Sequence, residues 1–264
     1  MTEASDIRTG LSSYNLHHIW VRGLDLTGEI MGHRTFAEVV YLLITGELPA
    51  AQDRALLDAI LVALMDHGLT ASAVVTRATY WAAPEAMQAA VAAGLLGAGS
   101  RVLGSMEECG QILAQIDART TAGEERSAVI AAIIDDYQSR RRHLPGIGHA
   151  IHTEGDPRAG RLLEIASESN RADQHVAAML ELQERAEERI GRRLPLNVTG
   201  AIAALLLELG IPWQLHRGFA LISRAAGLVA HVGEERSAPI TPALRSELFR
   251  TGLDSQVKGK PEAE

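Results

Sequence analysis

Apolar side chains return every three or four residues along most of the 264-residue chain, the period of helices with one buried face. Phe36, Val39, Val40, Leu43 and Ile44 make one stripe, closed by the Gly-Glu-Leu-Pro at 46–49. Leu56, Leu57, Ile60, Leu61, Leu64 and Met65 make a second, stopped at His67-Gly68. A histidine there suits the negative end of a helix and needs no further role. Pro84 is placed to open the next helix from its first turn. The same periodicity predicts helices near 105–117, 126–140, 158–169, 172–190, 200–209, 217–232 and 242–251, with Thr241-Pro242 as cap and first residue of the last. No alternating pattern lasts more than a few positions, so any β structure is expected to be a short hairpin. The fold class expected is all-α.

Composition agrees with that pattern. Apolar residues make up 47% of the chain and aromatic ones only 4%, and the apolar set is dominated by the strong helix formers Ala and Leu. The formal charge of −8, without a basic stripe, argues against nucleic acid as a partner. Basic character gathers in QSRRRH at 138–143, where a solvated helix end is the ordinary reading and a phosphate contact the alternative. The single cysteine, Cys109, excludes an intrachain disulfide and fits a reducing compartment. The polar start MTEASDIRTG has no apolar signal core, and the apolar runs are too short or too glycine-broken to span a bilayer. A soluble cytoplasmic protein with no membrane partner is expected.

Four stretches carry chemistry: GLLGAGSRVLGSMEEC (94–109), GIGHAIHTEGDPRA (146–159), LPLNVTGAIAALLLELGIP (194–212) and FALISRAAGLVAHVGEE (219–235). Each has a plain explanation by itself. The glycines of the first lack dinucleotide-binding spacing and follow no strand. His149 and His152 are three apart, but the neighbourhood shows too few further ligands for a metal, and none is expected. Arg224 sits in an apolar helical stretch, where a guanidinium needs an anionic partner. Asn197 and Thr199 are suited to cap the helix that follows them.

In this order and spacing, G-x-G-H…D-P-R, then P-x-N-V, then F-x-x-x-R-x-x-G, the chain resembles the citrate synthase superfamily. It is most similar to the short citryl-CoA lyase branch, which is like the C-terminal lyase module of ATP-citrate lyase. The resemblance runs from VRGLDLTGEIMGHRTFAEVVYLLITGELP (21–49) to about Glu235. It implies a nearly all-helical homodimer or larger homo-oligomer. A large domain would come from residues 1–110 and 210–252, a small inserted domain from 111–209, and 253–264 would be a frayed tail. Closure of the small domain over ligand would exclude water. The chemistry implied makes or breaks a bond between an acyl-CoA enolate and a 2-oxo acid. Coenzyme A would enter as part of substrate or product, with no tightly bound cofactor.

The resemblance assigns His149 to the oxygen at the reacting centre and Arg158 and Arg224 to substrate carboxylates, a task suited to the guanidinium fork. Gly146, Ile147 and Gly148 would lie against coenzyme A, with backbone N–H groups facing its phosphates. Two family positions are replaced. Val102 stands where synthases polarise the thioester with histidine, which favours a lyase. Thr199 stands where an aspartate moves the methyl proton, and a hydroxyl does not do carboxylate work near neutral pH. Thr199 and His152 are therefore carried as further catalytic candidates, and His216 and His231 as reserves. The expected reaction is cleavage of citryl-CoA or a related hydroxy-carboxyacyl-CoA to acetyl-CoA and oxaloacetate. A synthase or thioester hydrolase on a related substrate, and a non-catalytic CoA-binding paralogue, are the alternatives.

Overall fold

The computed structural model describes residues 8–99, 103–149 and 151–254, with side chains to residue 251. Val102 and the tail beyond 254 lie outside the described residues. Three short antiparallel strands come first, β1 (Ser12–Tyr14), β2 (Ile19–Val21) and β3 (Leu24–Asp25). Arg22 and Gly23, both at positive φ (49° and 85°), turn β2 into β3, as a two-residue hairpin loop requires. Eleven α-helices follow among the described residues. They are α1 (Phe36–Thr45), α2 (Arg54–Leu64), α3 (Ala71–Ala82), α4 (Met87–Leu96), α5 (Ser105–Thr121) and α6 (Arg126–Ser139). The remainder are α7 (Pro157–Glu168), α8 (Gln174–Ile190), α9 (Val198–Glu208), α10 (His216–Ser237) and α11 (Thr241–Asp254). The all-α expectation holds, with a small three-stranded sheet in place of the short hairpin expected.

Some local expectations change. The α2 stripe is buried from Leu56 to Leu64, but Phe36 and Leu43 of α1 are exposed. Glu38 is buried instead: it completes a capping box with Thr35 and pairs with Arg54 at 3.0 Å, so capping chemistry overrides the apolar count. Pro84 does not open α4. It lies in a turn closed by the Ala86 N–H on the Ala83 carbonyl (3.0 Å), and the helix begins at Met87. The N–H groups of Ile240 and Thr241 are held by the Glu235 carboxylate, both at 3.0 Å, so Glu235 performs the capping expected of Thr241.

Two compact units form: residues 1–63 with 100–220, and residues 64–99 with 221–264. Within the first unit, residues 1–63 are tied to the 100–220 segment. Tyr41 donates to the Leu209 carbonyl at 3.0 Å, and Arg171 forks onto Asp53 at 2.7 and 2.9 Å. In the first unit α9 is buried all round, from Val198 to Leu206, with α5, α7 and α8 packed against it; its VTGAIAALLLE sequence has no polar face to offer solvent. In the second unit α3 packs on α4. A Cβ at Gly94 would lie 2.0 Å from Thr76 Oγ1, so only glycine permits that approach.

Candidate active site

The N-termini of α5, α7 and α9 meet in the first unit. Asn197 caps α9 by accepting the N–H groups of Thr199 and Gly200, each at 3.1 Å. Asp156 caps α7, accepting the Arg158 N–H at 3.1 Å, and its second oxygen takes the Val198 N–H of α9 at 2.9 Å. The Ser105 hydroxyl of α5 donates to Thr199 Oγ1 at 3.3 Å. The Asp156 carboxylate thus sits where the positive ends of α7 and α9 favour an anion, and the Ser105 hydroxyl ties the start of α5 to that of α9.

The Gly146–His149 segment is fixed against α9's approach. Ile147 and Leu196 form an isolated antiparallel bridge. The Asn197 N–H meets the Gly146 carbonyl at 3.0 Å, and the Asn197 amide donates to the Gly148 carbonyl at 2.9 Å. Gly146 is at φ 87°, where a Cβ would come 2.7 Å from Cys109 Sγ; one at Gly200 would come 2.3 Å from the Gly146 carbonyl. The glycines therefore let two backbones touch. Of the N–H groups expected to face phosphate, that of Gly148 is committed to the Pro195 carbonyl at 2.7 Å.

His149 is delivered half-buried, with its Nδ1 accepting the N–H groups of Ile151 (3.1 Å) and His152 (3.0 Å). A nitrogen that accepts two N–H bonds carries no hydrogen, so the neutral ring holds its proton on Nε2, the donating nitrogen. The His152 ring lies against it, centroids 4.6 Å apart. Arg158 forks onto Asp156 through Nε and Nη2, both at 3.0 Å, with the carboxylate fully enclosed. Burial pushes the Asp156 carboxyl up, but Arg158 and the Val198 N–H outweigh it and hold it below the usual range. In this structure Arg158 is therefore paired with the carboxylate of its own helix start. Thr199, 9% exposed, donates its hydrogen to Asn197 Oδ1 at 2.7 Å.

The other candidates separate. His216 is fully enclosed against the Ile211 carbonyl, and burial pushes it down to about 4, which removes it as an acid–base group near neutrality. Arg224 lies on α10 in the second unit, 4% exposed, reaching Thr70 Oγ1 at 3.4 Å. In that unit His231 meets Asp66 at 2.8 Å. Burial pushes the Asp66 carboxyl up, but the Gly68 N–H, His231 and finally Arg224 hold it down. In the basic 138–143 stretch Arg140 pairs with Asp136 at 2.9 Å and Arg142 with Glu108 of α5. Sequence reasoning passed over Asp156 and Ser105. Asp-Pro as cap and first helical residue was a readable signal for the first; nothing local marked the second.

Known proteins share the sequence profile and the fold. The sequence profile of the citrate synthase C-terminal domain matches residues 51–246. Citrate synthase of Haloferax volcanii is 30% identical over 204 residues, covering 75% of this chain and 51% of that protein. The chain spans about half the length of the curated relatives it matches. Among solved structures, citryl-CoA lyase of Hydrogenobacter thermophilus superposes with a TM-score of 0.83 at 31% identity, covering 98% of this chain and 97% of that one. ATP citrate lyase of Methanosaeta concilii, solved as a D541A mutant with (3S)-citryl-CoA, gives 0.75 at 18% identity over 99% of this chain and 43% of its own, a likeness of fold. With a matching profile over most of its length and a G-I-G-H loop seated on an N-V-T-G helix start, the chain belongs to the citrate synthase family.

Proposed function

We propose that the chain is a CoA-dependent carbon–carbon lyase that cleaves citryl-CoA, or a close hydroxy-carboxyacyl-CoA, to acetyl-CoA and oxaloacetate. The observation that carries this reading is the near end-to-end similarity to the Hydrogenobacter thermophilus citryl-CoA lyase, in which each chain covers almost all of the other. The site chemistry supports it. His149, held with hydrogen on Nε2, donates to the reacting oxygen, and directed donors of this kind stabilise charge as it develops. His152, or water beside it, takes the tertiary hydroxyl proton as the C2–C3 bond of the citryl group breaks. It then returns one proton to the enolate carbon, so protons balance. Arg158, whose guanidinium has N–H groups beyond the two on Asp156, and Arg224 bind substrate carboxylates. Residues 146–148 border the acyl-CoA, and Thr199 stands at the family's aspartate position.

The reading carries with it a homodimer or larger homo-oligomer in the cytoplasm; among the described residues no helix is long and apolar enough to cross a membrane. Cleavage of citryl-CoA in deuterated buffer is expected to place one deuterium in the acetyl methyl group. Turnover without methyl deuterium would overturn the proton route, and absence of turnover would overturn the lyase reading. The similarity to a citrate synthase favours condensation as the second reading. A panel of acyl-CoA esters with oxaloacetate separates the two by product.

A further inference from the structure

We propose that Ser105 and Thr199 are positioning residues, acting through Asn197 to hold His149 in its donating tautomer. The proposal rests on the lyase reading only for its kinetic part. The links are continuous: Ser105 Oγ–H to Thr199 Oγ1 at 3.3 Å, Thr199 Oγ1–H to Asn197 Oδ1 at 2.7 Å, and Asn197 Nδ2–H to the Gly148 carbonyl at 2.9 Å. The next residue is His149, whose Nδ1 takes two backbone N–H groups of the same loop. Thr199 has one hydrogen, and it points at Asn197; a hydroxyl so directed orients a neighbour and does not protonate an enolate. Asn197 Oδ1 accepts three hydrogens in all, two backbone and one hydroxyl, which fixes which end of the amide faces Gly148. The Gly146–Gly200 contact leaves no slack for the loop to shift independently.

The two hydroxyls thus give the family's aspartate position a different task. A carboxylate at 199 has no hydrogen to give Asn197 Oδ1 and would repel it, so this chain of bonds requires an uncharged donor there. Ser105 supplies the hydrogen that Thr199's oxygen accepts.

The test compares Thr199→Val, Thr199→Ser and Ser105→Ala in the full chain by two readouts. Long-range proton–nitrogen NMR of labelled histidine rings, with His149→Gln to assign the signal, reports the His149 tautomer without any need for activity. Citryl-CoA cleavage reports kcat and KM separately. Thr199→Val should mix the His149 tautomers and lower kcat roughly 10- to 100-fold, as a misplaced catalytic group does, with KM nearly unchanged. Thr199→Ser should restore both. Ser105→Ala, which breaks the longest link, should lower kcat roughly 3- to 10-fold. It carries the same test should the valine variant not fold, because it removes no cap from α9. A wild-type tautomer pattern in Thr199→Val and Ser105→Ala, or no rescue by serine, overturns the proposal. A tautomer change in a protein that never cleaves citryl-CoA upholds it and overturns the lyase reading.

Discussion

Each unit contains an arginine–carboxylate pair that also holds the N–H groups of a helix start, and the two are built for different ends. In the second unit Arg77 and Glu235 meet at 2.7 Å with side chains 2% and 1% exposed. Arg77 also reaches Glu234 and the Ala238 carbonyl, while Glu235 caps α11. Every donor and acceptor there serves the corner between α3, α10 and α11. In the first unit Asp156 is as deeply enclosed, but its partner Arg158 is 24% exposed. The N–H it caps on α9 belongs to the turn that carries Asn197 and Thr199. The enclosed pair is a joint; the Asp156–Arg158 pair is open on the cation's side. Exposure of the arginine, not the presence of the pair, distinguishes them.

The sharpest way to break that comparison is to remove the group the first unit is built around. His149→Ala should lower the cleavage rate by roughly two to four decades, the range for a positioned donor or acid–base group, with little change in the urea unfolding midpoint. A near-wild-type rate would refute its role. Next in size, Arg77→Leu leaves Glu235 buried without its counter-charge and should cost about 3–5 kcal/mol of stability. Arg158→Leu, the matching change, should cost only about 1–3 kcal/mol while raising KM for the carboxylate substrate. Urea titrations of both variants check the order. If Arg158→Leu proved the more destabilising and left KM unchanged, its pair would be a joint like the other.

How much of this could be read from the chain depended on the range of the interaction. Helix starts announce themselves locally: Asn197 ahead of VTG and Asp156-Pro157 ahead of a helix are signals within four residues. The Arg22-Gly23 turn is similarly local. The Gly146–Gly200 contact is not, because two glycines distant in sequence show nothing of each other until the backbones touch. Ser105 was invisible for the same reason, since a serine at a helix start reads as a capping preference and its partner is on α9. Phe36 misled through its type: an aromatic counted as core stands 71% exposed, while Glu38 beside it is buried by its hydrogen bonds. The histidine loop was legible as chemistry, but the tautomer needed coordinates.

The smallest expected effect is a slope with pH, and it asks whether the two carboxylates contribute in the same sense. Burial pushes both upward, but Arg158 with the Val198 N–H at Asp156, and Arg77 with the Ile240 and Thr241 N–H groups at Glu235, bring each below its usual value. The unfolded chain then binds more protons than the native one below about pH 4, and stability falls as pH falls through the native values. Each contribution is complete at neutral pH and absent in strong acid. Asp156→Asn should therefore differ most from wild type near pH 7, with the gap narrowing below about pH 4. Glu235→Gln should behave alike, since both carboxylates are buried whatever their arginines do. Unfolding free energies between neutral pH and acid decide it. A gap for Asp156→Asn that stayed constant with pH would mean that its carboxylate is not held below its ordinary range, and that the opened pair differs from the closed one in charge as well as in exposure.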